Sequence, residues 1–81
     1  MRDERVHNQK YYKEFVQIGL NIMRYRKERG LSQEELSEMI GYSRQQLQRV
    51  ETANAAPSMA MLFELSEALN VPLERLIEIR K

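Results

Sequence analysis

Apolar residues recur along this chain at spacings of three and four, the repeat of a helix face. Phe15, Ile18, Ile22 and Tyr25 or Arg26 form one such stripe, which predicts a first helix running to about Arg29. Leu36 and Ile40 mark a second, over Gln33 to about Ile40. Leu47 and Val50 are the only apolar residues of a third. Met61 or Leu62, Leu65, Ala68 and Leu69 give a fourth. Leu73, Leu76, Ile77 and Ile79 give a fifth, facing inward or toward a partner.

The polar residues between these stripes act as punctuation. Gly30 closes the first helix, and Leu31 returns to the core as the residue after the cap. Ser32 with Glu35, and Ser43 with Gln46, each have the spacing of a capping box, in which side chain and backbone satisfy each other across three residues. Gly41 supplies the positive φ that ends the second helix. Ser58 caps the fourth helix and Asn70 ends it in a left-handed conformation. Pro72 suits the first turn of the fifth. Around the third helix, at about 100° per residue, Arg44, Gln48, Thr52, Gln45 and Arg49 fall in that order within an arc of about 140°. Leu47 and Val50 lie on the other side. Arg pairs bidentately with guanine edges and Gln with adenine edges. Two capped helices joined by a glycine turn, the second polar outward, make a helix-turn-helix.

From about Ile18 to Ile77 the chain resembles the phage-repressor-like helix-turn-helix domains of the Cro or XRE type. The likeness rests on GLSQEEL at 30–36, the small Ser37, Ile40-Gly41, Ser43 with Arg44 and Gln45, Leu47, Val50-Glu51, Pro57-Ser58 and ALNVPLERLI at 68–77. It implies an all-α, five-helix, lambda-repressor-like DNA-binding domain, usually dimeric, over 15–81, preceded by an arm at 1–14 that is flexible or extends the first helix. Carried onto these positions, it implies base reading by Arg44, Gln45, Gln48 and Arg49. It implies phosphate contacts from Gln33, Ser43 and Thr52, and a buried ion pair between Arg26 and Glu51. The family often has a glycine soon after the Glu51 position, with basic residues following. Here the loop reads Thr52-Ala53-Asn54-Ala55-Ala56, without glycine, lysine or arginine. The apolar surplus at Leu73, Leu76, Ile77 and Ile79, with Leu69 and Val71, predicts an isologous dimer interface.

Composition narrows the alternatives. Eighty-one residues fit one domain, small enough to have a thin stability margin. There is no cysteine, hence no disulfide frame and no thiolate metal site or nucleophile. His7 stands alone in the arm, so no metal and no cofactor are expected, and no catalytic constellation is present; an enzyme is not expected. No apolar run approaches the ~18 residues of a membrane span, and the N-terminus lacks the apolar core of a signal peptide. A cytoplasmic, nucleoid-associated location follows as the expectation. Net charge is only +1. The balance is uneven: residues 1–30 carry eight Lys/Arg against four Asp/Glu, net +4, residues 31–56 two against four, net −2, and residues 57–81 three against four, net −1. The basic cluster Arg24, Arg26, Lys27 and Arg29 suits a helix C-terminus by charge–dipole attraction alone; Glu34, Glu35 and Glu38 make the outer face of the next helix acidic, with Glu34 and Glu35 in the first turn, where the dipole favours them. The scattered methionines read as core filling. The expected function is a sequence-specific transcriptional regulator, a repressor bound as a dimer to a pseudo-palindromic operator on double-stranded DNA. The alternative is a protein-interaction module, such as an antitoxin whose arm at 1–14 engages a toxin.

Overall fold

The computed structural model describes residues 10–80, which form α1 (Tyr12–Glu28), α2 (Gln33–Ile40), α3 (Arg44–Glu51), α4 (Met59–Leu69) and α5 (Leu73–Leu76), with no strand among them. His7, Asn8 and most of the expected N-terminal arm lie outside the described residues. Residues 12–14 of that arm are helix, and Tyr11 occupies the cap position without a side-chain cap bond.

The ends of the helices follow from local chemistry. Ser32 Oγ accepts from the Glu35 amide, and Glu35 Oε1 accepts from the Ser32 amide at 2.8 Å. Ser43 and Gln46 repeat that exchange at the start of α3. Ser58 Oγ accepts from the Met61 amide and so caps α4. Gly41, at φ 78, and Asn70, at φ 56, close α2 and α4 in the left-handed region. There a longer side chain meets the following carbonyl, whereas Gly and Asn are tolerated.

The core is a single cluster in which Ile22, Leu36, Leu47, Leu65, Leu69 and Leu76 are fully enclosed. α1 packs against α3, α4 and α5, while α2 sits against α3 and α4. α1 and α3 approach so closely at Gly19 that a Cβ there would lie 2.6 Å from the Glu51 carbonyl oxygen and 2.7 Å from that of Val50. The crossing therefore requires glycine in mid-helix. On another side of α1, two residues on, Asn21 is buried and fully engaged. Its Nδ2 donates to the carbonyls of Leu76 and Glu78, each at 2.9 Å, and its Oδ1 accepts from Gln17. That clamp fastens the C-terminal tail to α1. Arg29 adds a second tie, with Nε donating to the Leu69 carbonyl at 2.6 Å.

Three expectations change. The fifth helix is a single turn, and Ile77 and Ile79 follow it in the tail that Asn21 holds. Leu76 has no exposed surface, and Leu69 and Val71 are buried as well, so these three brace the core and cannot touch a partner. Of the expected interface, Ile77 is exposed while Leu73 and Ile79 are half-buried. Among the methionines, Met61 fills the core, but Met39 and Met59 stand in solvent.

No helix among the described residues is long and apolar enough to cross a membrane.

Candidate nucleic-acid interface

α3 is held from beneath by Leu47 and Val50, both buried. Its other side chains follow from that placement. Arg44, Gln45, Gln48 and Arg49 are all exposed, and neither arginine forms an ion pair with a described residue. The four expected base-reading residues thus share one open face.

The far end of α3 is fixed by a buried polar network. Glu51 has no exposed side-chain surface. Arg26 grips it with two parallel bonds, Nε to Oε2 at 2.7 Å and Nη2 to Oε1 at 3.0 Å. This fork geometry is the strong form of a carboxylate contact. Arg26 Nη1 donates onward to the Leu31 carbonyl at 2.9 Å, so the same guanidinium ties the α1–α2 turn to α3. Gln33 Nε2 completes the set by donating to Glu51 Oε1 at 2.9 Å.

The expected phosphate-contacting residues differ in what they have free. Ser43 Oγ accepts a cap bond and keeps its proton to donate outward. Gln33 has one amide proton on Glu51 and one left over. Thr52 does not: its hydroxyl donates to the Gln48 carbonyl at 2.8 Å and accepts from Asn54 Nδ2 at 2.9 Å. A phosphate only accepts hydrogen bonds, so Thr52 has no proton for it while the helix end is intact. Asn54, which the sequence reading did not single out, keeps its second amide proton and is exposed. The backbone N–H of Asn54 donates to the Arg49 carbonyl at 2.7 Å, and that of Ala55 does likewise at 3.1 Å. These bonds form with Ala53 at φ 61, in the left-handed region.

Beside this face lies a hollow of about 330 Å³, bordered by Tyr42, Gln46, Arg49, Ala55 and Ser58. No group of three or more His, Cys, Asp or Glu among the described residues is arranged to hold a metal ion.

Comparison with known proteins gives a consistent picture. The helix-turn-helix family pattern matches residues 22–76. An HTH-type transcriptional regulator of Sinorhizobium fredii, y4dJ, is 41% identical over 54 residues, spanning 67% of this chain and 70% of its own length. Among solved structures, the restriction-modification controller protein C.AhdI of Aeromonas hydrophila superposes with a TM-score of 0.80 at 28% identity, over 84% of this chain and 99% of its own. SinR, the master regulator for biofilm formation, in complex with DNA, gives 0.70 at 35% identity, over 75% of this chain and 98% of that one. A match across 22–76 takes in α2 and α3 with their capping boxes and the Arg26–Glu51 tie between α1 and α3, and it covers well over half of the sequence. The chain belongs to the helix-turn-helix family, of the Cro/XRE type.

Proposed function

We propose that this protein is a sequence-specific DNA-binding transcriptional repressor that grips a pseudo-palindromic operator as a dimer. The observation that carries the reading is the open face of α3, where Arg44, Gln45, Gln48 and Arg49 are exposed above a buried Leu47 and Val50. A helix so fastened enters the major groove with its polar arc toward base edges. Arg44 and Arg49 then select guanine, and Gln45 and Gln48 adenine. Ser43, the spare amide proton of Gln33 and Asn54 position the domain on phosphates without choosing sequence. SinR, described in complex with DNA, supports the assignment. Repression is the sign we assign, since a domain seated on a promoter excludes polymerase from it.

Dimerisation uses Leu73 and Ile77, what remains of the apolar tail once Ile79 is turned toward Lys13 and Gln17 of α1, with the tail held in place by the Asn21 clamp. Two-fold symmetry sets half-site centres about 34–36 Å apart, roughly one helical turn.

Selection of binding sites from random duplexes tests the whole reading. The native chain should enrich a two-fold motif with guanine and adenine close together in each half. Arg49→Ala should weaken binding by about 1–3 kcal/mol and relax one base pair per half-site. An unchanged motif at every position would remove α3 as the reader. Sedimentation without DNA, at tens of micromolar, tests the dimer, and a monomer there would count against it.

A further inference from the structure

α1 carries a second apolar stripe that the rest of the described chain covers only in part. Val16, Leu20 and Met23 recur at four and three residues, on the side away from Ile18, Ile22 and Tyr25. Leu20 is 50% exposed, and Val16 and Met23 are half-buried. Leu20, Met23, Arg24, Lys27 and Arg80 border a hollow of about 350 Å³. A second, of about 330 Å³, lies between Lys13, Ile79 and Arg80. Gln17 and Arg80 line both, so the two run together as one groove. The Asn21 clamp on the Leu76 and Glu78 carbonyls builds its wall, because it holds the tail against α1.

The charges around this groove are nearly all of one sign. Lys13, Lys27 and Arg80 make no ion pair with a described residue, and Arg24 stands 4.7 Å from the Tyr25 ring centre. Glu14 is the acidic group on the lining, while Glu28, further along α1, faces Arg29 at 3.7 Å. From Lys13 to Lys27 the rim runs about 21 Å along the helix axis, at 1.5 Å per residue. We infer that this face of α1, walled by Ile79 and Arg80, is a docking surface for an acidic amphipathic helix of a partner protein.

The other occupants fit less well. A second copy placed isologously would set the cations of one groove against the same set of cations on the other. Residues 1–9 carry Val6 as their interior apolar side chain, and charges of both signs. A nucleic acid would use the cations but has nothing for the apolar floor. A helix with apolar residues at four and three, flanked by carboxylates, uses both, in the helix-in-groove mode. Its charged rim would set orientation and encounter rate. The surface is separate from α3, so the inference stands whether or not α3 reads DNA.

The test is titration of the intact ¹⁵N-labelled chain with a designed helical peptide of about 16 residues, leucines at four and three, glutamates flanking. A scrambled peptide and a lysine-for-glutamate version serve as controls. The acidic helix should shift amides between residues 13 and 27 and at 79–80, saturably, and less so as salt rises. Leu20→Asp and Lys27→Glu, both at exposed positions, should each weaken it by about tenfold or more while keeping the native circular dichroism. Equal binding by the scrambled peptide overturns the proposal, as does no saturable shift at millimolar peptide. So do shifts confined to residues 44–49, which would mean that the peptide mimics DNA. A random-sequence duplex that perturbs the α1 amides in place of the peptide would make the groove a nucleic-acid surface and overturn it too.

Discussion

Removing the Arg26 guanidinium should unfold this domain under conditions where neighbouring substitutions hardly matter. Glu51 is a fully enclosed carboxylate with three donated bonds, two from Arg26 and one from Gln33. In Arg26→Met the methylene stem is largely kept, and the carboxylate is left underground with one neutral donor. Breaking one partner of a buried pair in this way costs about 3–5 kcal/mol. At roughly 0.05–0.15 kcal/mol per residue, a chain of this length holds about 4–12 kcal/mol in total. The substitution therefore removes about a quarter of the stability or more. With about 4–8 °C lost per kcal/mol in a domain of this size, the melting temperature should fall by at least about 12 °C. Arg24→Met is the control: its guanidinium sits exposed over the Tyr25 ring, a contact worth about 0.5–1 kcal/mol. The double variant Arg26→Met with Glu51→Leu separates charge burial from lost contact. Replacing both ions by apolar groups is often neutral or stabilising, so it should recover most of the loss. Urea denaturation followed by circular dichroism reads all four proteins. If Arg26→Met unfolds within about 1 kcal/mol of Arg24→Met, the network does not anchor α3, and the argument fails.

Three further expectations come from the same structure. Gly19→Ala gains helix propensity but places a Cβ 2.6 Å from a backbone oxygen of α3, so α1 and α3 must part and stability should fall by about 1–3 kcal/mol; a melting temperature at or above native would refute the close crossing. Ala53→Gly relieves a left-handed alanine, worth about 1–2 kcal/mol, against a lost buried methyl of about 0.8 and a looser unfolded chain of about 0.5–1. These nearly cancel, so its denaturation midpoint should stay close to native, whereas Ala53→Val should be clearly destabilised. The reading face offers Arg44 and Arg49 as cations and the loop 52–56 offers none, so a dimer's log affinity against log salt should slope by about −4 or less steeply; a much steeper slope in filter binding at graded salt would bring other cations onto the duplex.

What could be read before folding is what depends on neighbours in sequence. Ser32 with Glu35 and Ser43 with Gln46 are local exchanges, and each sits where its spacing put it. The two faces of α3 follow from Leu47 and Val50 alone. The contact between Arg26 and Glu51 spans 25 positions and has no local signal; only the family resemblance pointed to it. Gly19 did carry a sign, since a glycine inside a helix costs about 1 kcal/mol against alanine and so asks for a reason. Its reason, a backbone one atom's width away, exists only once α3 is packed. The tail was misjudged for a related cause. A run of apolar residues at 73–79 reads as helix. After Leu76 the chain leaves the helix, and a buried amide on α1, 55 and 57 positions away in sequence, takes the Leu76 and Glu78 carbonyls, a contact that no local pattern shows. Thr52 was legible and missed, because a threonine hydroxyl bonding back four residues at a helix end is a local habit.

The arrangement of α3 explains why so much polar chemistry is buried in so small a domain. Leu47 and Val50 are its apolar anchors, and burying them contributes roughly 3–6 kcal/mol before chain entropy. More apolar residues would hold the helix better but would occupy positions on its outer arc. The anchoring that two side chains cannot supply comes instead from the helix ends. A capping box fixes the start and contributes about 1 kcal/mol. Arg26, Gln33 and the bare backbone at Gly19 fix the finish. Such ties set position more sharply than they add stability, because a buried ion pair gives back much of its Coulomb energy in desolvation. A helix located at both ends by directional bonds cannot slide or roll on its apolar anchors. That constraint leaves Arg44, Gln45, Gln48 and Arg49 free of structural duty and aimed at one surface.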